Sequence, residues 1–258
     1  KKIKNKKKSK NVKYICGDIS KFHHLKKKLK PHLGVDYVVN LGGEIDHSNF
    51  KKTYNSHFIG VKNLSNIFLK KKLKKFVQIG SSMEYGRARS PQIESKKAMP
   101  LSSYGKAKFM ATKHILNLFF EYKFPGVILR PYQVYGPNQD TKRLIPYVIK
   151  SCLHNKKFNC SGGKQYRDFL YVSDFIKAIY NSLKSNRTSG QVINVGFGKP
   201  YNIKKTIYFI KKKIKKGVPI FGKIKLRKEE NLVTYPNIFK SRFILKWKPT
   251  INLKNGLI

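Results

Sequence analysis

The sequence is short of acid. Its 258 residues hold 12 Asp plus Glu against 57 Lys plus Arg, a formal net charge of +45. Arginine is scarce as well, confined to Arg87, Arg89, Arg130, Arg143, Arg167, Arg187, Arg227 and Arg242, so the excess is one of lysine. Intrinsic disorder requires low hydrophobicity together with high charge, and 40% hydrophobic and 13% aromatic residues supply material for a core. A folded chain of one or two domains is expected. Cysteine is limited to Cys16, Cys152 and Cys160, odd in number and without metal-type spacing. This excludes a disulfide scaffold and suits a reducing compartment, so a cytoplasmic protein is expected. No apolar run exceeds strand length, and the lysine-rich first ten residues lead into no apolar signal region, so neither a membrane span nor a secretory signal is visible.

Short β-branched or aromatic runs alternate with longer helical patterns, the signature of βαβ units and a mainly parallel sheet. Strands are expected at Val12 to Cys16, Asp36 to Asn40, Phe76 to Ile79, Gly126 to Arg130 and Gln191 to Val195. Helices are expected at about Ile19 to Lys30, His47 to Lys71, Ser102 to Tyr122, Ile145 to Leu153 and Val172 to Lys184. In the third, Ser102 or Ser103 can cap the amino end, and Ala107, Met110, Ala111, Ile115 and Leu118 recur at roughly helical spacing. After Arg130, frequent proline and glycine punctuate shorter elements, which predicts a smaller, loop-rich lobe.

Tyr104 and Lys108 are four residues apart, so on a helix both side chains leave the same face one turn apart. A free tyrosine titrates at about 10, and bringing it to neutrality takes about 4 kcal/mol of phenolate stabilisation, which a nearby ammonium could supply. Spacing alone is weak in so lysine-rich a chain, where two surface residues of one helix are the commoner explanation. Context strengthens it. Phe76-Val77-Gln78-Ile79-Gly80-Ser81-Ser82 reads as a buried strand ending in hydroxyl residues, and catalytic groups of open α/β folds sit at the carboxyl ends of parallel strands.

Four ordered segments carry a wider resemblance. They are Gly80-Ser81-Ser82-Met83-Glu84-Tyr85-Gly86, Ser103-Tyr104-Gly105-Lys106-Ala107-Lys108, Leu129-Arg130-Pro131-Tyr132-Gln133-Val134-Tyr135-Gly136-Pro137 and Arg167-Asp168-Phe169-Leu170-Tyr171-Val172. In order and spacing the chain resembles the extended short-chain dehydrogenase/reductases, and within them the NAD-dependent epimerase/dehydratases of nucleotide sugars. The resemblance implies an α/β fold with a Rossmann-type doubly wound parallel sheet and a smaller C-terminal substrate-binding lobe. It divides the chain into a dinucleotide-binding part, 1–135, to which about 170–195 returns, and a substrate lobe, 136–258. It implies Tyr104 as general acid/base, Lys108 as the group that holds a ribose and lowers the tyrosine pKa, and Ser81 as the catalytic hydroxyl, with Ser82 the alternative. It implies Asp18, Leu41, Gly42, Gly43, Pro131, Tyr132 and Val134 as cofactor-binding, with Tyr104 and Lys108. Ser82, Gln133, Arg143, Arg167 and Arg227 would meet a nucleoside-diphosphate sugar, the arginines by a sensible use of guanidinium forks on phosphate oxygens. NAD is the implied cofactor, with NADP not distinguished, and homodimerisation through the helices around 47–71 and 102–122 is implied too.

Two departures from the family pattern matter. Sugar dehydratases carry an acidic residue directly after the hydroxyl residue, whereas Ser81 is followed by Ser82 and Met83, with Glu84 one position late. An epimerase or 4-keto reductase is therefore expected. The second departure is that no glycines stand three apart, so the chain has no G-x-x-G-x-x-G turn of the kind that holds a dinucleotide pyrophosphate. The expectation is a fold lacking its first βαβ portion, in a chain that is a fragment of a protein about fifty or sixty residues longer. Two other functions were weighed, a nucleic-acid-binding protein and an inactive remnant of the family. Lysines spread over every segment, with no nucleic-acid motif, argue against the first.

Overall fold

A computed structural model describes residues 11–226 and 230–257. In chain order its elements are α1 (Phe22–Leu29), β1 (Tyr37–Asn40), α2 (Phe50–Tyr54), a π-helical stretch (Asn55–Ile59), α3 (Gly60–Phe68), β2 (Lys75–Ile79), a 3₁₀ turn (Ser82–Tyr85), α4 (Ser103–Tyr122), β3 (Gly126–Pro131), β4 (Gln133–Tyr135) and α5 (Leu144–Leu153). There follow β5 (Lys157–Asn159), β6 (Tyr166–Tyr171), α6 (Val172–Lys184), β7 (Gln191–Val195), β8 (Pro200–Asn202), α7 (Ile203–Ile214), β9 (Val218–Ile220), β10 (Val233–Thr234) and α8 (Phe239–Leu245).

The principal sheet runs β1-β2-β3-β7 with every pairing parallel, the α/β arrangement expected. Side chains alternate across a strand, and here both faces are covered. Phe76 and Ile128 face a core built with α1, α3 and α4, where Leu25, Val61, Phe68, Ile115 and Leu118 meet them. Val77, Val127, Leu129 and Ile193 face the opposite core, with Phe175 and Ala178 of α6 and with Leu245 and Trp247. A third core joins α5 and α7 to Phe158, Phe169 and Tyr135, and stands apart from the principal sheet. The short sheet β10-β6-β4, with β8 beside β6, lies between these units in the chain's connectivity.

One expected strand is absent. Val12 to Cys16 has no ladder partner among the described residues, and Val12, Tyr14 and Ile15 are 50%, 46% and 42% exposed. A β pattern without a neighbouring strand cannot satisfy its backbone as sheet. The helix expected from His47 begins later, at Phe50, where Asn49 accepts a hydrogen bond from the Lys52 amide, and a π-helical turn interrupts it before Gly60. Ser102, rather than Ser103, caps α4, accepting from the Gly105 amide.

Phe76 is fully buried in the centre of the sheet, with its ring 5.3 Å from that of Phe124. Phe76→Ala is expected to lower unfolding stability by about 3–5 kcal/mol, measured as a fall in the urea midpoint at unchanged slope.

Candidate active site

At the carboxyl end of β2 the chain leaves the sheet through Gly80, where a Cβ would stand 2.6 Å from Glu84 Oε1 and 3.0 Å from Ile128. Ser81 then caps the 3₁₀ turn, its Oγ accepting from the Met83 amide at 3.2 Å while its own amide donates to Glu84 Oε1 at 2.8 Å. This reciprocal pair is a capping box, readable as Ser81-x-x-Glu84.

Glu84 is wholly buried, and its other oxygen is saturated. Oε2 accepts from Thr112 Oγ1 at 2.8 Å and from Arg130 Nε and a terminal guanidinium nitrogen at 3.0 and 2.7 Å. The guanidinium also lies 4.6 Å from the centre of the Tyr85 ring. Tyr85 donates its hydroxyl to Asn194 of β7, Asn194 donates to the Gln92 carbonyl, and Tyr132 donates to the Gln92 side chain. One buried network therefore joins β2, α4, β3 and β7 at their carboxyl-end corner.

Against this corner lies the start of α4. Gly105 packs so closely that a Cβ there would stand 2.6 Å from the Met83 carbonyl oxygen, which brings Tyr104 to the 3₁₀ turn. The Ser81 side chain stands beside the Tyr104 hydroxyl. Burial pushes the phenol above its ordinary value, Ser81 pulls it down, the Glu84 charge raises it and the Arg143 charge lowers it. Lys108, to which the resemblance assigns the lowering of the tyrosine pKa, is not among these causes. The Lys108 ammonium donates to the Ile79 carbonyl at 2.7 Å and stands 5.8 Å from the centre of the Tyr104 ring. Burial brings Lys108 down to about 8, with Glu84 opposing, so it is charged at neutral pH.

Two histidines that the sequence did not single out complete the surroundings of Tyr104. His47 stacks on its ring at 4.0 Å and 14°, and His57 meets it edge-on at 4.9 Å. Neither lies in a motif; His47 comes in on the loop after β1, and His57 on the π-helical stretch that packs against α4. That loop contains Leu41, 66% exposed, Gly42, whose amide donates to Asn40 Oδ1, and Gly43. Gly43 lies flat against the His57 ring, so close that a Cβ would be 2.1 Å from Cε1. Of the two serine candidates, Ser81 contacts Tyr104, whereas Ser82 is the half-buried first residue of the 3₁₀ turn.

The other expected residues are more dispersed. Pro131 ends β3, with buried Tyr132 next and Val134 within β4, while Gln133 is exposed. Asp18 sits in an exposed turn where Ser20 donates to its carboxylate from both amide and hydroxyl, which lowers its pKa. Arg143 is exposed at the amino end of α5, within electrostatic reach of Tyr104. Arg167 is engaged internally, with Glu230 and with the Tyr166 and Leu232 carbonyls. Arg227 lies outside the described residues. A cavity of about 300 Å³ opens beside Glu230, lined also by Lys142, Tyr147, Cys160, Gln165 and Ile207.

Two measurements follow from this geometry. Glu84→Ala leaves Arg130 buried without its counter-charge and is expected to cost about 3–5 kcal/mol, whereas the double change Glu84→Leu with Arg130→Met is expected to cost less than the sum of the single changes. Burial and the Lys108 charge bring His57 down to about 4 from 6.5, against the pull of the Glu44 carbonyl. Above pH 6.5 folded and unfolded His57 are both neutral. Between 6.5 and 4 only the unfolded chain takes the proton, so stability falls as pH falls through that window, and His57→Asn is expected to flatten the fall in denaturant titrations.

The profile of the NAD dependent epimerase/dehydratase family matches residues 1–196. Human dTDP-D-glucose 4,6-dehydratase is 28% identical over 96% of this chain and 73% of its own length. An uncharacterised UDP-glucose epimerase of Bacillus subtilis is 29% identical over 87% of the chain and 72% of its own. The crystal structure of a Bacillus cereus UDP-glucuronic acid 4-epimerase, in complex with UDP-glucuronic acid and NAD, superposes with a TM-score of 0.83 at 28% identity, covering 90% of this chain and 75% of that one. With its parallel sheet and a family match over most of its length, the chain belongs to the NAD dependent epimerase/dehydratase family of enzymes.

Proposed function

We propose that the protein is an epimerase or 4-keto reductase of a nucleoside-diphosphate sugar, exchanging a hydride between a sugar ring carbon and NAD, with NADP not distinguished. The observation that carries this reading is the convergence of Ser81, at the end of β2, with Tyr104 on the first turn of α4 and the Lys108 ammonium one turn further along. As the phenolate, Tyr104 would take the sugar hydroxyl proton as hydride leaves the ring carbon and give it back when hydride returns; burial raises its pKa, and positive charge beside it brings the phenolate within reach. Ser81 shares the hydrogen bond to the reacting oxygen. Lys108, anchored on the Ile79 carbonyl and charged at neutral pH, favours the phenolate as the proton leaves.

Bound NAD would supply the hydride acceptor and donor and a cationic ring. The described residues fit its nicotinamide end. Leu41, Gly42 and Gly43 follow β1, and the Pro131 to Val134 segment runs from the end of β3 into β4, so both lie at carboxyl ends of parallel strands. Asp18 is reserved for the adenine end, and no pyrophosphate turn occurs in the sequence. The reading places residues 1–135 on the cofactor side and 136–258 on the sugar-nucleotide side, with Gln133, Arg143 and Arg167 facing the substrate. Arg167 would share its guanidinium between Glu230 and a phosphate, and the adjoining cavity suits the nucleoside. Pairing of α2, α3 and α4 with a second copy belongs to the same reading, as does a cytoplasmic setting. Among the described residues no helix is long and apolar enough to cross a membrane.

Elimination of water is disfavoured because the acid near Ser81 is committed elsewhere. Both Glu84 oxygens are taken by Ser81, Thr112 and Arg130, while Ser82 and Met83 carry no acid. The test is turnover of UDP-glucose, UDP-glucuronic acid and dTDP-glucose in the presence of NAD, with products identified by NMR. The expected product is the C4 epimer, with Tyr104→Phe slower by about 10²–10⁴ and folded normally. Accumulation of a 4-keto-6-deoxy sugar, or full activity in Tyr104→Phe, would contradict the proposal.

A further inference from the structure

Four large apolar side chains stand in the open on α6 and α8. Phe239 and Phe243 of α8 are 72% and 63% exposed, and Ile176 and Tyr180 of α6 are each 58% exposed. The members of each pair are four residues apart, so each pair forms a stripe along one helix face. The two phenyl rings stack at 6.4 Å and 3°. Exposed apolar residues scattered singly are ordinary, whereas a cluster marks a surface that meets something.

The two helices present this cluster on one side of the molecule. Phe175 and Ala178 of α6 and Leu245 of α8 enter the same core, on one face of the principal sheet. Asn181 of α6 donates to the Leu245 carbonyl at 3.0 Å, and the Ser185 hydroxyl donates to the Ile244 carbonyl at 3.2 Å. With their buried faces turned to one sheet and their lengths laced together, the exposed faces look outward together.

The charge around this surface has one sign. Lys177 and Lys184 of α6, Arg242 of α8, and Lys246 and Lys248 just beyond it are all exposed. The one acid of the two helices, Asp174, is wholly buried and bonded to Thr250 and Ile251. Residues 175–228 and 231–258 contain no Asp or Glu. The Lys184 ammonium lies 5.7 Å over the Tyr180 ring, which sets a cation directly beside the apolar stripe.

Apolar side chains inside a cationic rim match a surface with an apolar interior under an anionic skin, and a bilayer of acidic phospholipids is such a surface. A second copy of the chain matches poorly, since it would set lysine against lysine in a protein of net charge +45. A bilayer also moulds itself around projecting rings and needs no complementary pocket. We infer that the outer face of α6 and α8 seats the protein on an anionic membrane surface, with Phe239, Phe243, Ile176 and Tyr180 entering the headgroup layer and the flanking cations meeting lipid phosphates. The attachment is peripheral and reversible, because it uses a few side chains and no spanning helix.

The experiment is co-sedimentation of the full chain with vesicles of phosphatidylcholine alone and of phosphatidylcholine mixed with phosphatidylglycerol, at low and high salt. So basic a chain is drawn to any anionic surface, so the decisive variant, Phe239→Ser with Phe243→Ser, keeps every charge. The parent is expected to bind the mixed vesicles and not the neutral ones, and the double variant to bind about tenfold or more weakly with an unchanged circular dichroism spectrum. Tyr180→Ser, on the other helix, is expected to weaken binding in the same direction. A reporter locates the contact without removing the cluster: brominated lipid is expected to quench Phe243→Trp and to leave Leu153→Trp, an exposed position at the end of α5, unquenched. Absence of binding to the mixed vesicles, equal binding by parent and double variant, or quenching at position 153 rather than 243 overturns the inference. A parent dimer that the double variant dissolves would assign the face to a second copy and overturns it too.

Discussion

The buried Glu84–Arg130 ion pair is the constraint on which the site depends. Removing two charges from water is costly, and such a pair persists only where further hydrogen bonds satisfy it. Here the remaining acceptor sites are filled by the Ser81 amide and the Thr112 hydroxyl. The same carboxylate thereby fixes the turn that carries Ser81 and the helix that carries Tyr104 and Lys108. Arg130 brings β3 into the arrangement, and its stacking on Tyr85 extends the hold to Asn194 of β7. A shift of any one strand end would unpair a buried charge, which makes the spacing between Ser81 and Tyr104 stiff. Preorganisation of that kind is what a proton relay needs.

The scarcity of acid takes on meaning in this light. Several of the few carboxylates are spent on architecture. Asp168 accepts the Phe197, Gly198 and Lys199 amides and closes the loop after β7. Asp174 accepts from the Thr250 and Ile251 amides and the Thr250 hydroxyl, fastening the late chain to α6. Few are left to pair with lysine, and three ion pairs occur among the described residues. Most lysines are exposed, a solvated surface whose positive field also favours encounter with an anionic substrate. Lys108 is an exception, buried with its ammonium on the Ile79 carbonyl, and Lys75 is buried on the Ser189 hydroxyl.

Much of this was legible in the sequence, for reasons that differ element by element. α4 announced itself through its cap and its apolar spacing, and β2, β3 and β7 through β-branched runs bounded by breakers. Ser81, Tyr104 and Lys108 were legible because their spacing is local and their order is a family pattern. Val12 to Cys16 misled because strand propensity says nothing of a partner to pair with. The π-helical turn and the contacts of His47 and His57 with Tyr104 were not legible, because they arise where a loop and a helix distant in sequence pack against α4. Glu84 was visible as a residue out of place for acid chemistry, but its bond to Arg130 spans 46 positions and belongs to tertiary structure alone. Burial raises the phenol of Tyr104, and the Lys108 ammonium, bonded to the Ile79 carbonyl, is not among the charges that lower it.

The central claim is that Glu84 is architecture and that Ser81, Tyr104 and Lys108 carry the chemistry by moving a hydride and a proton. The most direct measurement is turnover of a nucleoside-diphosphate sugar with NAD in deuterated water, with the position of deuterium in the product read by NMR and mass spectrometry. A hydride that leaves and returns through the cofactor never exchanges with solvent, so the account predicts an epimerised sugar with no carbon-bound deuterium. Deuterium at the carbons beside C4, the trace of a proton removed and water eliminated, would contradict it.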